Sequence, residues 1–342
     1  MAALTKTHPA IETFLEEQAF HGRSDRTIDA YEHVLRDFWE HVADSTADGD
    51  IASVERRACM RWVHGLRGEH KPSTIASYAS YVNRFYGYMV DIGEFDSNPM
   101  RVVIDQMSES IETDPLRRDI SLDEMRKFVA TCQHPLTRAI LLLFLKTGIR
   151  VGELCNLDLR DVTLSYGDIR LATPNQRGVL DSRSNALYVT NSISVGDVIN
   201  GEERSASNKR QRETIIPIDR ELGQALLVWL AIRPDSTSDA EPLFVDTNGS
   251  WGERITPASV RYRIKRRTEP YGWHSSGGSA AENVTPHYFR HFFTTHLRDR
   301  TGDRGIVKYL RGDVADDIID TYTHNWGERV RQHYLDNIYV LT

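Results

Sequence analysis

With three cysteines in 342 residues (Cys59, Cys132 and Cys155) and no CxxC pair, the chain has too little sulfur for a disulfide framework or a structural zinc site. That scarcity points to an intracellular, cytoplasmic setting. Long apolar runs are missing as well. The longest of them, Ala139–Leu145 (AILLLFL), is far shorter than a membrane span and reads as a buried helix. The first residues have no apolar core of a secretory signal. Neither a phosphate-binding P-loop nor metal-ligand spacing occurs, so nucleotide and metal chemistry are not expected. Lysine is scarce, with 7 residues against 35 arginines, and positive charge is not in excess: the formal net charge is −7. Proteins that bind nucleic acid are usually basic, so composition alone points away from that class.

The acidity is uneven. Residues 1–105 hold 11 basic and 17 acidic side chains, a net of −6, which leaves −1 for the remainder. Such a surface suits a salt-rich cytoplasm, where hydrated carboxylates maintain solubility. GC-rich coding would equally favour Arg over Lys.

A chain of this length is expected to form two domains. Helical spacing of apolar residues predicts helices over Ala10–Ala19, then from Ser24 or Asp25 through Trp39, over Ser53–Leu66, and from a Ser73 cap through Met89. Their aromatics read as a helical core. Asn98-Pro99 and Asp114-Pro115 mark the stretch between Gly93 and Ser121 as a linker. The reading is therefore a helical domain over 1–105, a linker over 106–117 and a second domain over 118–342. Ser121-Leu-Asp-Glu124 is a capping box that opens the second domain. A further helix ends near Gly148. Strand-like segments follow at Asp168–Ala172, Ala186–Thr190 and Thr214–Ile218, separated by polar stretches. The segment between Thr173 and Asn208 is longer than a hairpin needs. Helices resume over Arg220–Ile232, Pro257–Arg267, Pro286–Asp299 and Arg304–Leu310.

Three short boxes carry chemistry. In Thr147-Gly-Ile-Arg-Val-Gly-Glu-Leu154 an apolar helix stops at a glycine, and Arg150 stands at the junction with the next helix. In Thr285-Pro-His-Tyr-Phe-Arg-His291, His287 and Arg290 lie three apart on one face of a helix start, an arrangement that suits an anion. In Ile318-Ile-Asp-Thr-Tyr-Thr-His324, Tyr322 follows a short helix. Each box alone is weak evidence, since a surface Arg or a packing Tyr is the commoner case.

Their order is specific. Arg150, then His287 and Arg290, then Tyr322 resembles the tyrosine recombinases of the phage-integrase and Xer type. TGIRVGEL resembles that family's first box, and HYFRHFFTTHL its second. The resemblance covers about residues 118–330. It implies a mainly α fold with a small antiparallel β-sheet, in which a helical, SAM-like core-binding domain precedes an α+β catalytic domain. It further implies a catalytic Lys on a β-hairpin, and Lys209 stands at that place, eight residues before Pro217. The family usually carries His or Trp nine residues before the nucleophile, whereas this chain has Asp313, in Leu310-Arg-Gly-Asp313. An ionised carboxylate cannot donate to a phosphate. Either Asp313 is structural, as a helix cap, or Arg311 or another donor substitutes, or Asp313 positions a neighbouring cation.

The implied reaction is strand cleavage by Tyr322 with formation of a 3′-phosphotyrosine, using Arg150 and Arg290 as phosphate clamps, His287 to accept the phenol proton or orient the phosphate, and Lys209 as the acid for the leaving 5′-oxygen. The covalent bond conserves the energy of the cleaved linkage, so no cofactor and no metal are expected. The partner would be duplex DNA with specific sites, engaged by a homotetramer that passes through a Holliday junction; no membrane partner is expected. The densest basic run, Arg261-Tyr-Arg-Ile-Lys-Arg-Arg267, offers Arg261, Arg263, Lys265, Arg266 and Arg267 for phosphate contacts, with Arg210 and Arg212 as further candidates. Two related readings are a type IB topoisomerase and a DNA-binding protein that has lost catalysis. The short integrase-like boxes argue against the first, and the five chemical residues kept together argue against the second. In the tail, Val330, Tyr334, Leu335 and Ile338 form an apolar stripe that must be buried, either on its own domain or on a neighbouring protomer. Tyr334 and Tyr339 are rival nucleophiles to Tyr322.

Overall fold

The structure, a computed structural model, describes residues 8–43, 50–111, 116–167, 169–170, 175–313 and 326–342. It divides into two compact units, Met1–Pro115 and Leu116–Thr342. Helices dominate both, and the strands form small antiparallel sheets in the second.

The first unit consists of α1 (Pro9–Phe20), α2 (Asp25–Val42), α3 (Arg56–Leu66), α4 (Pro72–Asp91) and α5 (Met100–Gln106). Aromatic side chains fill its core: Phe14, Phe38, Trp62, Phe85 and Tyr86 are all buried. Edge-to-face contacts link Phe38 to Trp62 at 5.1 Å and Phe14 to Phe85 at 5.7 Å. Helix α4 begins one residue before the expected Ser73 cap, because Pro72 takes the first helical position, where its missing N–H costs nothing. Helix α5 lies inside the stretch read from sequence as a linker. Met100 and Val103 are buried against the helical core, and that burial stabilises a seven-residue helix too short to announce itself by periodicity.

The second unit opens with α6 (Leu122–Ala130), whose capping box is formed by Ser121 and Glu124 as expected. It continues through α7 (Pro135–Thr147), α8 (Val151–Cys155), β1 (Val162–Thr163), β2 (Ser165–Tyr166), β3 (Ile169–Arg170), β4 (Ala186–Val189), β5 (Val198–Ile199), β6 (Glu202–Glu203) and β7 (Thr214–Pro217). The helices α9 (Arg220–Ile232), α10 (Pro257–Thr268), α11 (Pro286–Thr301), α12 (Arg304–Arg311) and α13 (Trp326–Asn337) complete it. Strands β1, β4 and β7 form a three-stranded antiparallel sheet in that order. Of the strand expected at 168–172, Asp168, Leu171 and Ala172 lie outside the described residues.

The long 173–208 segment has a structural explanation. It contributes β4 to the sheet and then the β5–β6 hairpin, which is tied down by a buried ionic network. The Arg204 guanidinium, fully buried, donates to both oxygens of Asp158 at 3.1 and 2.9 Å. Arg254 bridges Asp158 and Glu202, each at 2.6 Å. Buried charges survive only when paired in this way.

The tail packs on its own unit. Val330, Tyr334, Ile338, Tyr339 and Leu341 are all buried in the core of the second unit. Tyr334 Oη donates to Lys146 O at 2.8 Å, and Tyr339 Oη donates to Leu145 O. Both carbonyls belong to the last turn of α7, where no helical N–H is left to bond them. Lys146, itself buried, pairs with Asp219 and Glu221 and donates to Tyr339 O. Of the two expectations for the tail, the structure of the single chain shows the packing in cis.

Candidate active site

The end of α7 sets the position of Arg150. Gly148 caps the helix at φ +62°, and a Cβ there would run into the Phe293 ring of α11. The chain then turns into α8 with Arg150 as its first capping residue. Glu153, fully buried, holds that turn by accepting from Arg150 N at 2.9 Å and from Arg150 Nη1 at 3.0 Å. It also accepts from Arg210 Nη2 at 3.3 Å.

Arg290 comes from α11, one turn after His287, and is almost completely buried. Its Nη1 donates to Gly148 O at 2.7 Å, so the second box is bonded directly to the first. It also donates to Arg311 O from both Nη atoms at 3.2 Å, which ties in the end of α12. Burial, and then the fields of Arg150 and Arg311, push Arg290 down to about 9, which leaves it charged at neutral pH.

Asp313 stands where these cations meet. Arg150 Nη2 donates to its Oδ1 at 3.0 Å, and Arg290 Nη2 donates to the same oxygen at 2.9 Å. Its Oδ2 lies 3.0 Å from Arg311 Nε. Among the sequence readings of Asp313, the geometry matches the one in which it positions neighbouring cations; it is not a donor. Gly312, at φ +70°, makes the turn that presents it, and a Cβ there would strike the Arg210 side chain.

His287 lies on the exposed side of the first turn of α11. Partial burial of the ring, followed by the positive field of Arg117, Arg290, Arg311 and Arg150, holds its pKa below the ordinary imidazole value. The ring is therefore neutral at neutral pH and able to accept a proton. A cleft of about 200 Å³ opens beside it, lined by Arg117, Ser279, Asn283 and Thr285 among others.

Lys209 is exposed at the end of the 173–208 segment, on a loop that is docked against α12: Gln211 N donates to Gly312 O at 3.0 Å, and Arg210 Nη1 to Leu310 O at 3.2 Å. Tyr322 lies outside the described residues. Its two rivals are removed by burial: Tyr334 and Tyr339 are enclosed, which raises both phenol pKa values well above 10.0. Neither can meet a phosphodiester or ionise where it sits.

Two assignments to a DNA surface need correction. Arg210 is buried on Glu153 and Leu310 O, because its guanidinium serves to hold the Lys209 loop. Arg263 is largely buried and pairs with Asp246 at 2.9 Å. In the rest of the α10 run, Arg267 donates to Thr131 O at 2.8 Å and Lys265 faces Glu269 at 3.6 Å. Arg261 and Arg266 are exposed. Arg212 lies over the Tyr309 ring, 4.9 Å from its centroid. One residue of the cluster, Glu153, was not singled out from sequence, and Arg311 was named only as a substitute donor beside Asp313. Glu153 stands three residues after Arg150, the spacing of a capping-box partner, so a local signal was available.

The model of the phage integrase family matches residues 118–329. The tyrosine recombinase XerC of Thermodesulfovibrio yellowstonii is 27% identical over 335 residues, covering 94% of this chain and 93% of its own. XerC of Chromohalobacter salexigens is 27% identical over 340 residues, covering 96% and 94%. Among solved structures, a lambda integrase tetramer bound to a Holliday junction is similar with a TM-score of 0.63 at 16% identity, covering 92% of this chain and 79% of that one. The Tn1549 transposon integrase in complex with a circular intermediate DNA gives 0.62 at 18% identity, covering 88% and 91%. The order of the boxes, the convergence of Arg150 and Arg290, and a family match over most of the chain lead to one assignment: this chain belongs to the phage integrase family and is a tyrosine recombinase.

Proposed function

We propose that the chain cleaves and rejoins specific DNA sites, with Tyr322 as nucleophile and with Arg150, Arg290, His287 and Lys209 in the roles that follow. A phosphodiester resists attack because its non-bridging oxygens are anionic. Two guanidiniums aimed at one oxygen position lower that barrier by stabilising the charge of the pentacoordinate transition state. The observation that carries the reading is the convergence of Arg150 Nη2 and Arg290 Nη2 on a single anionic oxygen, at 3.0 and 2.9 Å. An ordinary tyrosine has a pKa near 10 and needs a base at neutral pH. His287, held neutral, takes the phenol proton as the Tyr322 oxygen bonds to phosphorus. The bond from phosphorus to the 5′-oxygen breaks, and Lys209 supplies the proton to that oxygen. Rejoining reverses each transfer, so no external energy source enters.

Arg261 and Arg266, which are exposed on α10, would contact the DNA backbone in this reading. The DNA-bound state is a homotetramer that passes strands through a Holliday junction; the structurally similar lambda integrase has been seen as a tetramer bound to such a junction. Action on chromosomal or plasmid DNA would place the chain in the cytoplasm. The test is covalent trapping on a nicked suicide substrate. The wild-type chain should form a protein–DNA adduct, and Tyr322→Phe should bind the same DNA and form none. An adduct in the Phe variant would overturn the assignment of the nucleophile.

A further inference from the structure

We propose that Asp313 is a positioning residue that stands in for the non-bridging oxygens of a phosphate while no DNA is bound, and that Arg311 is a third guanidinium of the phosphate site. The inference rests on the reading of this cluster as the site of the scissile phosphate.

The geometry is that of a bound oxyanion. One carboxylate oxygen accepts from Arg150 and Arg290 together, and the other faces Arg311 Nε at 3.0 Å. A carboxylate and one face of a phosphodiester present two anionic oxygens at similar spacing, so the same donors serve either. Arg290 has no donor to spare: its Nη2 gives one hydrogen to Asp313 Oδ1 and one to Arg311 O, and its Nη1 goes to Gly148 O and Arg311 O. A scissile phosphate therefore takes the Arg290 Nη2 donor only when Asp313 cedes it. The carboxylate is not locked in: its side chain is 26% exposed, and it follows a left-handed glycine at a helix end.

The arrangement also explains why the cluster holds together in the free protein. Arg150, Arg290 and Arg311 would repel one another in a partly buried place, and Asp313 is the carboxylate they share. Arg311 belongs to the set by position. Its backbone carbonyl accepts from Arg290, its Nε faces the same carboxylate, and its side chain stays 29% exposed.

Thermal melting of the full-length chain in chloride and in inorganic phosphate at equal ionic strength tests the first half. Wild type should respond little, because its own carboxylate fills the site. Asp313→Asn should melt lower in chloride and regain about 3 °C or more in phosphate at roughly ten times its dissociation constant. A loss that phosphate does not repair, or an equal gain in wild type, would overturn the stand-in and leave Asp313 as a helix-end residue only. This readout needs no cleavage, and it should be the same in a Tyr322→Phe background. It therefore fails or succeeds apart from the assignment of the nucleophile. Arg311→Ala tests the second half, and it does so even if the Asn variant does not fold. On a normal phosphodiester it should cleave slower by on the order of 100-fold, and on a methylphosphonate at the scissile position, which has no charge to neutralise, most of that loss should vanish. Equal slowing on both substrates would place Arg311 outside the phosphate site.

Discussion

Replacing Tyr339 with alanine should weaken the catalytic unit even in protein that never meets DNA. The Tyr339 ring is 1% exposed and packs edge-on against Phe292 and His296, with centroids 5.6 and 5.8 Å away. Lys146 Nζ lies 5.5 Å from its centroid. Removing a buried aromatic to alanine typically costs about 3–5 kcal/mol. The lost hydroxyl also leaves Leu145 O, at the end of α7, without its donor. A figure of about 4 kcal/mol is therefore a large share of a typical unfolding free energy of roughly 5–15 kcal/mol. For a unit of this size it corresponds to a melting point lower by about 12 °C. Tyr339→Phe, which keeps the ring and loses only the bond to α7, should fall by about 4 °C. Both drops should be independent of protein concentration in calorimetry. The functional consequence follows from what α7 carries: a loosened last turn displaces Gly148 and with it Arg150, so cleavage per folded molecule should fall too. A Tyr339→Ala protein that melts like wild type but fails to bring two DNA duplexes together would refute the argument, because the tail would then pack on a partner and not in cis.

Four further outcomes are expected. Lys209→Ala should slow cleavage of an ordinary substrate and recover on a 5′-bridging phosphorothiolate, whose thiolate leaves without a proton; absence of recovery would assign the acid elsewhere. Single-turnover cleavage should hold its plateau down to a pH below 6.5, because burial and the nearby guanidiniums lower the His287 pKa, and should decline as the ring gains a proton. A half-maximal point at or above 6.5 would contradict that role. Arg261→Ala should reduce the slope of log affinity against log salt by about 0.9. Arg210→Ala should leave that slope unchanged and destabilise the fold by about 3 kcal/mol, since it removes a buried partner of Glu153; a changed slope there would restore Arg210 as a DNA contact.

Local chemistry accounts for what the amino-acid sequence by itself determined. The Ser121–Glu124 capping box, the left-handed Gly148, Pro286 at the start of α11 and the apolar spacing of α9 and α11 act within a few residues of themselves, and the elements form where they are expected. The order of Arg150, His287, Arg290 and Tyr322 carried the family assignment for the same reason, since each box is a contiguous string. Contacts between distant residues were decided by the tertiary structure. Asp313 lies 163 residues from Arg150 and meets it only because Gly148 and Gly312 bring two helix ends together. Arg210 and Arg261 look alike in sequence, yet one is buried on Glu153 and the other faces solvent, and no local signal separates them. Helix α5 exists because Met100 and Val103 are buried, not because seven residues prefer to be helical. The tail's stripe required burial in any case, and the free carbonyls at the end of α7 selected the surface that received it. Charge pairing and burial depend on what the rest of the chain brings within reach, so they are settled by the fold as a whole.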